Sequence, residues 1–189
     1  MLVIEGPDGG GKTSLVQQLH KRYHLPVAPK VVSSQTEVLE NLADWVDREN
    51  RLGFQGKIYD RHRLISGPIY STILGRAPDP CFTDVAWVLS AVHRFYELKP
   101  VIIYCLPPIE VVRANVVNDD DNRVIRDRID SIYEAYLARA AADGALSPYR
   151  TIIYDYTTDG KEKDPLGPID WLVWRQFGPW IEKGISHGN

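Results

Sequence analysis

The chain opens with the apolar run Met1-Leu2-Val3-Ile4 and passes through Glu5 directly into Gly6-Pro7-Asp8-Gly9-Gly10-Gly11-Lys12-Thr13. So short an apolar run bounded by glycine fits a buried strand better than a helix. From Lys12 onward Leu15, Leu19 and Tyr23 recur at helical spacing. A strand, a glycine-rich turn and a helix in that order predict a helix packed back on a parallel sheet. The spacing G-x-x-x-x-G-K-T in this context is that of a phosphate-binding loop. Its glycines allow successive N–H groups to face one anion, and the helix N-terminus adds partial positive charge there. Lys12 then reaches the outer phosphates of a nucleoside triphosphate, and the Thr13 hydroxyl is a ligand for Mg²⁺. Gly6, Asp8, Gly9, Gly10, Gly11, Lys12, Thr13 and Ser14 are the expected nucleotide-binding residues.

The rest of the chain alternates apolar runs with helical patterns, which predicts an α/β fold: a three-layer sandwich with a five-stranded parallel sheet flanked by helices. Its 189 residues suit one domain with a sizeable core. The expected strands are 1–5, 25–32, 57–60, 101–106 and 151–154. Pro26 and Pro29 make the second a poor strand, suited to an edge. Helices are expected at 12–23, 37–51, 82–98, from Pro108 on, at 124–142 and at 169–181. Ile125, Ile129, Ile132, Tyr136 and Ala140 form one apolar stripe. The polar, acidic stretch within 115–126 reads as a short lid. Trp171, Trp174 and Trp180 read as packing residues.

Charge and composition narrow the partners. The net charge is −3, which lacks the global basic field of an avid duplex binder. No apolar stretch approaches the about 20 residues of a membrane span. The strand that runs straight into the loop argues against a cleaved signal peptide. Cys81 and Cys105 form no C-x-x-C pair and read as reduced thiols, consistent with a cytoplasmic setting.

Other residues carry chemistry by type and place. Asp60-Arg61 ends a strand, where open α/β sheets place their ligand crevice. A carboxylate there can hold Mg²⁺ or orient an attacking group, and the planar fork of an arginine matches phosphate oxygens. A surface ion pair is the plainer alternative. Arg48 lies in a charged helix face, and its spacing alone does not select it. Arg113, Arg123, Arg126 and Arg128 surround Asn118-Asp119-Asp120-Asp121-Asn122. They read either as a flap that closes over transferring phosphates or as charge balance at a helix start.

Taken in order, these segments resemble the thymidylate kinases, within the P-loop nucleoside monophosphate kinases, in a short phage-type form. The resemblance rests on Ile4 to Thr13, Val46-Asp47-Arg48, Tyr59-Asp60-Arg61-His62 with Ser66, Leu106-Pro107-Pro108 through Arg113, and Arg126-Asp127-Arg128 through Tyr136. It implies an ATP- and Mg²⁺-dependent kinase, often a homodimer. Asp8 would contact the sugar 3′-hydroxyl, and Arg48 and Arg61 would hold the acceptor phosphate. Asp60 would act on the Mg²⁺ side, Arg113 would lie near the adenine, and Arg123 or Arg126 would serve the lid. Lys12, Asp60, Arg61 and Arg126 are thus the expected catalytic set. Asp44 stands where the family carries an aromatic ring on the acceptor base, so this chain departs from the pattern at its acceptor pocket.

The resulting expectation is transfer of the ATP γ-phosphate to a deoxynucleoside monophosphate. The alternative is a hydroxyl acceptor, either a deoxynucleoside or a 5-hydroxymethyl pyrimidine in phage DNA, with Asp60 as base. Only that alternative makes DNA a partner; a membrane is not one.

Overall fold

In a computed structural model, residues 1–28, 56–77, 80–117, 123–158 and 166–185 are described. Strands β1 (Leu2–Glu5), β2 (Ile58–Asp60), β3 (Val101–Cys105) and β4 (Thr151–Tyr154) form one sheet in the order β2-β1-β3-β4. Every pairing is parallel, with Leu2 opposite both Ile58 and Val101, and Ile102 opposite Thr151.

Successive side chains of a strand face opposite ways, so each strand feeds two cores. Val3, Tyr59, Ile102 and Tyr104 face one side. There they meet α2 (Arg63–Leu74), α3 (Val85–Glu97), α4 (Ile109–Val117), α5 (Arg123–Arg126) and α6 (Ile129–Leu146). Leu2, Ile4, Ile58, Val101 and Ile103 face the other side, against α1 (Lys12–Tyr23) and α7 (Gly167–Ile185). The result is the expected three-layer sandwich. No helix among the described residues is long and apolar enough to cross a membrane.

The expected fifth strand is not among the described residues. Segment 25–28 contributes one parallel bridge, Val27 to Ile58, closed by Ala28 N–H on the Ile58 carbonyl and Ile58 N–H on that of Pro26. Pro26 has no N–H to extend the ladder, and residues 29–32 lie outside the described set. The expected helix 37–51 lies outside it as well.

Other boundaries moved for local reasons. The expected helix from Phe82 begins only at Val85, because Asp84 caps it by accepting from Trp87 N–H; Pro80–Thr83 is a 3₁₀ turn. The stripe expected on one helix from 124 to 142 is divided between α5 and α6, yet all five stripe residues are buried. Helix α2 was not read from the sequence, where Gly67-Pro68 interrupts the pattern. It is capped by His62, whose Nδ1 accepts from Leu64 N–H, and it ends at Gly75. The tryptophan expectation fails at two positions: Trp171 and Trp174 are about half exposed, and Ile169, Leu172, Val173 and Phe177 bury α7 instead.

Candidate active site

All four strands run parallel, so their C-terminal ends share one edge. Glu5, Asp60 and Cys105 end there, and the glycine loop, Arg61 and Tyr156 follow directly. The loop fits closely against β3. A Cβ on Gly6 would lie 2.5 Å from the Cys105 carbonyl oxygen, and Gly6 has φ +137°. Gly11 caps α1 at φ +85°, where a Cβ would strike the Tyr156 ring at 2.8 Å. Only glycine meets both demands. The loop therefore lies against β3 and Tyr156 with no side chain between.

Lys12 is buried and donates through Nζ to the Pro7 carbonyl within the loop. Burial pushes its pKa down to about 8, helped by Arg61 and opposed by Asp8, Cys105 and Asp60. The Thr13 hydroxyl donates to Asp60 Oδ2 at 3.4 Å. Two hard oxygens from the loop and from the end of β2 thus stand together, and this donor pair fits Mg²⁺. No larger metal-type cluster of His, Cys, Asp and Glu is present among the described residues.

Arg61 follows β2 in a left-handed backbone conformation, φ +72°. Its Nη2 donates to Asp8 Oδ1 and to the Tyr70 hydroxyl, and that hydroxyl donates to Asp8 Oδ2 at 2.8 Å. The guanidinium also lies over the Tyr70 ring, 4.8 Å from its centre. Burial of Asp8 works to raise its pKa. The positive charges of Arg61 and Lys12 and the bonds from Tyr70 and Arg61 outweigh that and hold it below the usual carboxylate range. Arg61 Nε is buried and has no hydrogen-bond partner among the described residues.

Around this centre lie residues that the sequence reading passed over. Glu5 is wholly buried; its Oε1 accepts His62 N–H and its Oε2 accepts the Tyr136 hydroxyl at 3.1 Å. Burial pushes its pKa up to about 7. Asn115 Nδ2 donates to the Gly9 carbonyl at 2.8 Å and to the Tyr156 hydroxyl at 2.9 Å, so the end of α4 is tied to the loop. Spacing gave no sign of Tyr70 or Asn115. Glu5 carried one usable signal, a carboxylate inside an apolar strand.

The remaining expected residues cluster around Asp130, lie exposed, or fall outside the described set. Arg113 makes a bidentate pair with Asp130, Nε to Oδ1 at 2.8 Å and Nη2 to Oδ2 at 2.9 Å. Both line a cavity of about 260 Å³ together with Arg126 and Asp127. Arg123 is exposed on α5. Asp44, Arg48 and lid residues 118–122 lie outside the described residues, as does the Cys81 side chain. Cys105 is a buried free thiol.

No protein-family model matches the sequence, and no curated protein matches it. Solved structures do. The YorR protein from Bacillus subtilis, in complex with phosphorylated GDP, superposes with a TM-score of 0.61 at 16% identity, over 93% of this chain and 96% of that one. This likeness shows a shared fold. Deoxyadenosine kinase from M. mycoides is similar in two of its structures. One, with products dCMP and a flexible dCDP bound, has a TM-score of 0.51 at 11% identity, over 96% of this chain and 98% of that one. The other, with dCTP bound, has a TM-score of 0.50 at 14% identity, over 98% and 100%.

Proposed function

We propose that this protein is an ATP-dependent deoxynucleoside monophosphate kinase of the thymidylate kinase type. The observation that carries the reading is the state of Arg61. Its Nη2 ties the guanidinium to Asp8 of the glycine loop and to Tyr70, so a fixed positive charge stands against that loop. A guanidinium fork matches phosphate oxygens, so a charge held in this place suits a second anion beside the loop. A second anionic group next to the donor phosphates is what a monophosphate acceptor brings.

The chemistry follows from that placement. The loop N–H groups and Lys12 hold the donor phosphates. The bond from the γ-phosphorus to its bridging oxygen breaks, and a bond to an acceptor phosphate oxygen forms, giving ADP and the deoxynucleoside diphosphate. The acceptor oxygen is already anionic near neutral pH, so alignment and charge neutralisation suffice without a strong base. Lys12 and Arg61 supply positive charge, with Arg126 and Arg123 added from the lid side. Thr13 and Asp60 would hold Mg²⁺, which neutralises charge on the phosphates when bound. Asp8 would take the sugar 3′-hydroxyl, Arg48 would share the acceptor phosphate, and Asp44 would face the acceptor base. Arg113 would lie on the adenine side. A cytoplasmic homodimer completes the reading.

One observation keeps a second reading in play. Asp8 compensates the charge of Arg61, which lessens its pull on an anionic acceptor. A hydroxyl acceptor, on a deoxynucleoside or on a hydroxymethyl pyrimidine in DNA, would need a base, and Asp60 stands beside Thr13 to serve as one. The M. mycoides protein of the same fold is a deoxyadenosine kinase. The net charge of −3 argues against the DNA form. Transfer from labelled ATP to a panel of nucleosides, monophosphates and hydroxymethylated DNA decides between the two.

A further inference from the structure

Glu5 is a carboxylate at the end of β1, an inner strand, with no exposed surface. A charge in that place costs several kcal/mol unless it is paired and fully bonded, and an apolar residue would be cheaper. Each oxygen serves a different element. Oε1 accepts the N–H of His62, the residue after Arg61, and Oε2 accepts the Tyr136 hydroxyl from α6. Arg61 N–H in turn donates to the Ile4 carbonyl at 2.9 Å. Consecutive residues of the β2–α2 turn are therefore fixed to consecutive residues of β1. That turn contains a left-handed arginine, a conformation that persists only where its surroundings over-determine it.

We propose that Glu5 is a positioning residue for Arg61: its carboxylate locks the left-handed turn that aims the guanidinium at Asp8. The inference rests on the reading of Arg61 as an acceptor-binding residue only for its kinetic consequence. Glu5 does not touch the nucleotide or the acceptor in this account. It acts through the backbone of His62.

The test uses Glu5→Leu, which deletes both acceptors, and Glu5→Gln, whose amide keeps an oxygen for His62 N–H and an NH₂ for the Tyr136 hydroxyl. Two readouts are taken: the Arg61 Nε–H NMR signal, assigned by its loss in Arg61→Ala, and the kinetic constants for donor and acceptor. In Glu5→Leu the Arg61 signal should move or broaden while that of Arg139 Nε stays. The acceptor KM should rise about tenfold, as for a lost hydrogen bond to a charged group, and the donor KM should hold. Glu5→Gln should restore both readouts. Should Glu5→Leu fail to fold, Tyr136→Phe removes one of the two bonds and should shift the same signal and raise the acceptor KM about threefold. An unmoved Arg61 signal, equal disturbance at Arg139, or a Gln variant as impaired as the Leu variant would overturn the inference. A moved Arg61 signal with an unchanged acceptor KM upholds the positioning role and contradicts the assignment of Arg61 to the acceptor.

Discussion

Arg61 Nη2 donates to the carboxylate of Asp8, joining the end of β2 to the interior of the glycine loop. Both side chains are three-quarters or so buried, 29% and 25% exposed. The donor and acceptor halves of the proposed site are thus mechanically one unit. Arg61→Ala should lower acceptor kcat/KM by about 10²-fold, the scale of losing one fixed charge at the transferring group. Arg61→Lys should recover little of that, since an ammonium cannot span Asp8, Tyr70 and a phosphate at once. Steady-state kinetics with varied acceptor check both.

Lys12 titrates in an accessible range. Its pKa of about 8, against an ordinary 10.5, means that the free protein loses this charge as pH rises past 8. Affinity for ATP should therefore fall between pH 7.5 and 9.5, roughly in proportion to the protonated fraction. Lys12→Arg should flatten that dependence, because arginine stays charged throughout. Lys12→Ala should reduce turnover by about 10²–10³. Calorimetric titration of ATP across pH checks the first, and single-turnover rates the last.

Two buried groups should oppose each other in acid. The unfolded chain protonates His62 near pH 6.5, while the folded chain resists until about pH 3, chiefly through burial and secondarily through Arg139. Stability therefore falls as pH drops through that window. Glu5 behaves in the reverse sense: the folded chain holds its proton up to about pH 7, the unfolded one only to 4.5. Its contribution is present below 4.5 and is lost as pH rises through 7. His62→Asn keeps a helix cap and removes the first effect. Its urea midpoint should rise as pH is lowered from 7 to 4.5, whereas that of the native chain should rise less or fall.

Sequence reading reached the parts of the fold that repeat. The strand–loop–helix start, the stripe from Ile125 to Ala140 and the buried run at 101–105 follow from periodicity, and burial confirms each. It failed where a single side chain overrides the pattern. Asp84 sets a helix start by one bond, and His62 caps a helix that Pro68 disguises. In the candidate site, loop spacing singles out Lys12 and Thr13, and a place at a strand end singles out Asp60 and Arg61. Tyr70, Asn115 and Tyr136 were not, because their meeting with Asp8, Gly9 and Glu5 depends on how α2, α4 and α6 pack.

Asp143 should matter for stability alone. It is 1% exposed and accepts from Tyr96, Tyr104 and Arg139. Asp143→Ala leaves three donors, one of them charged, without their acceptor, which should cost about 3–5 kcal/mol. Chemical denaturation reads that loss, and ATP affinity of the folded fraction should remain as in the native chain.

Acceptor identity tests the whole account. With γ-labelled ATP and Mg²⁺, label transfer should be measured to the four deoxynucleoside monophosphates, to their nucleosides and to hydroxymethylated DNA. The account expects label in a deoxynucleoside diphosphate, transfer to the matching nucleoside at least 10-fold slower, and loss of the monophosphate preference in Arg61→Ala. Rapid transfer to a nucleoside or to DNA, with the monophosphates inert and Arg61→Ala silent, would contradict it.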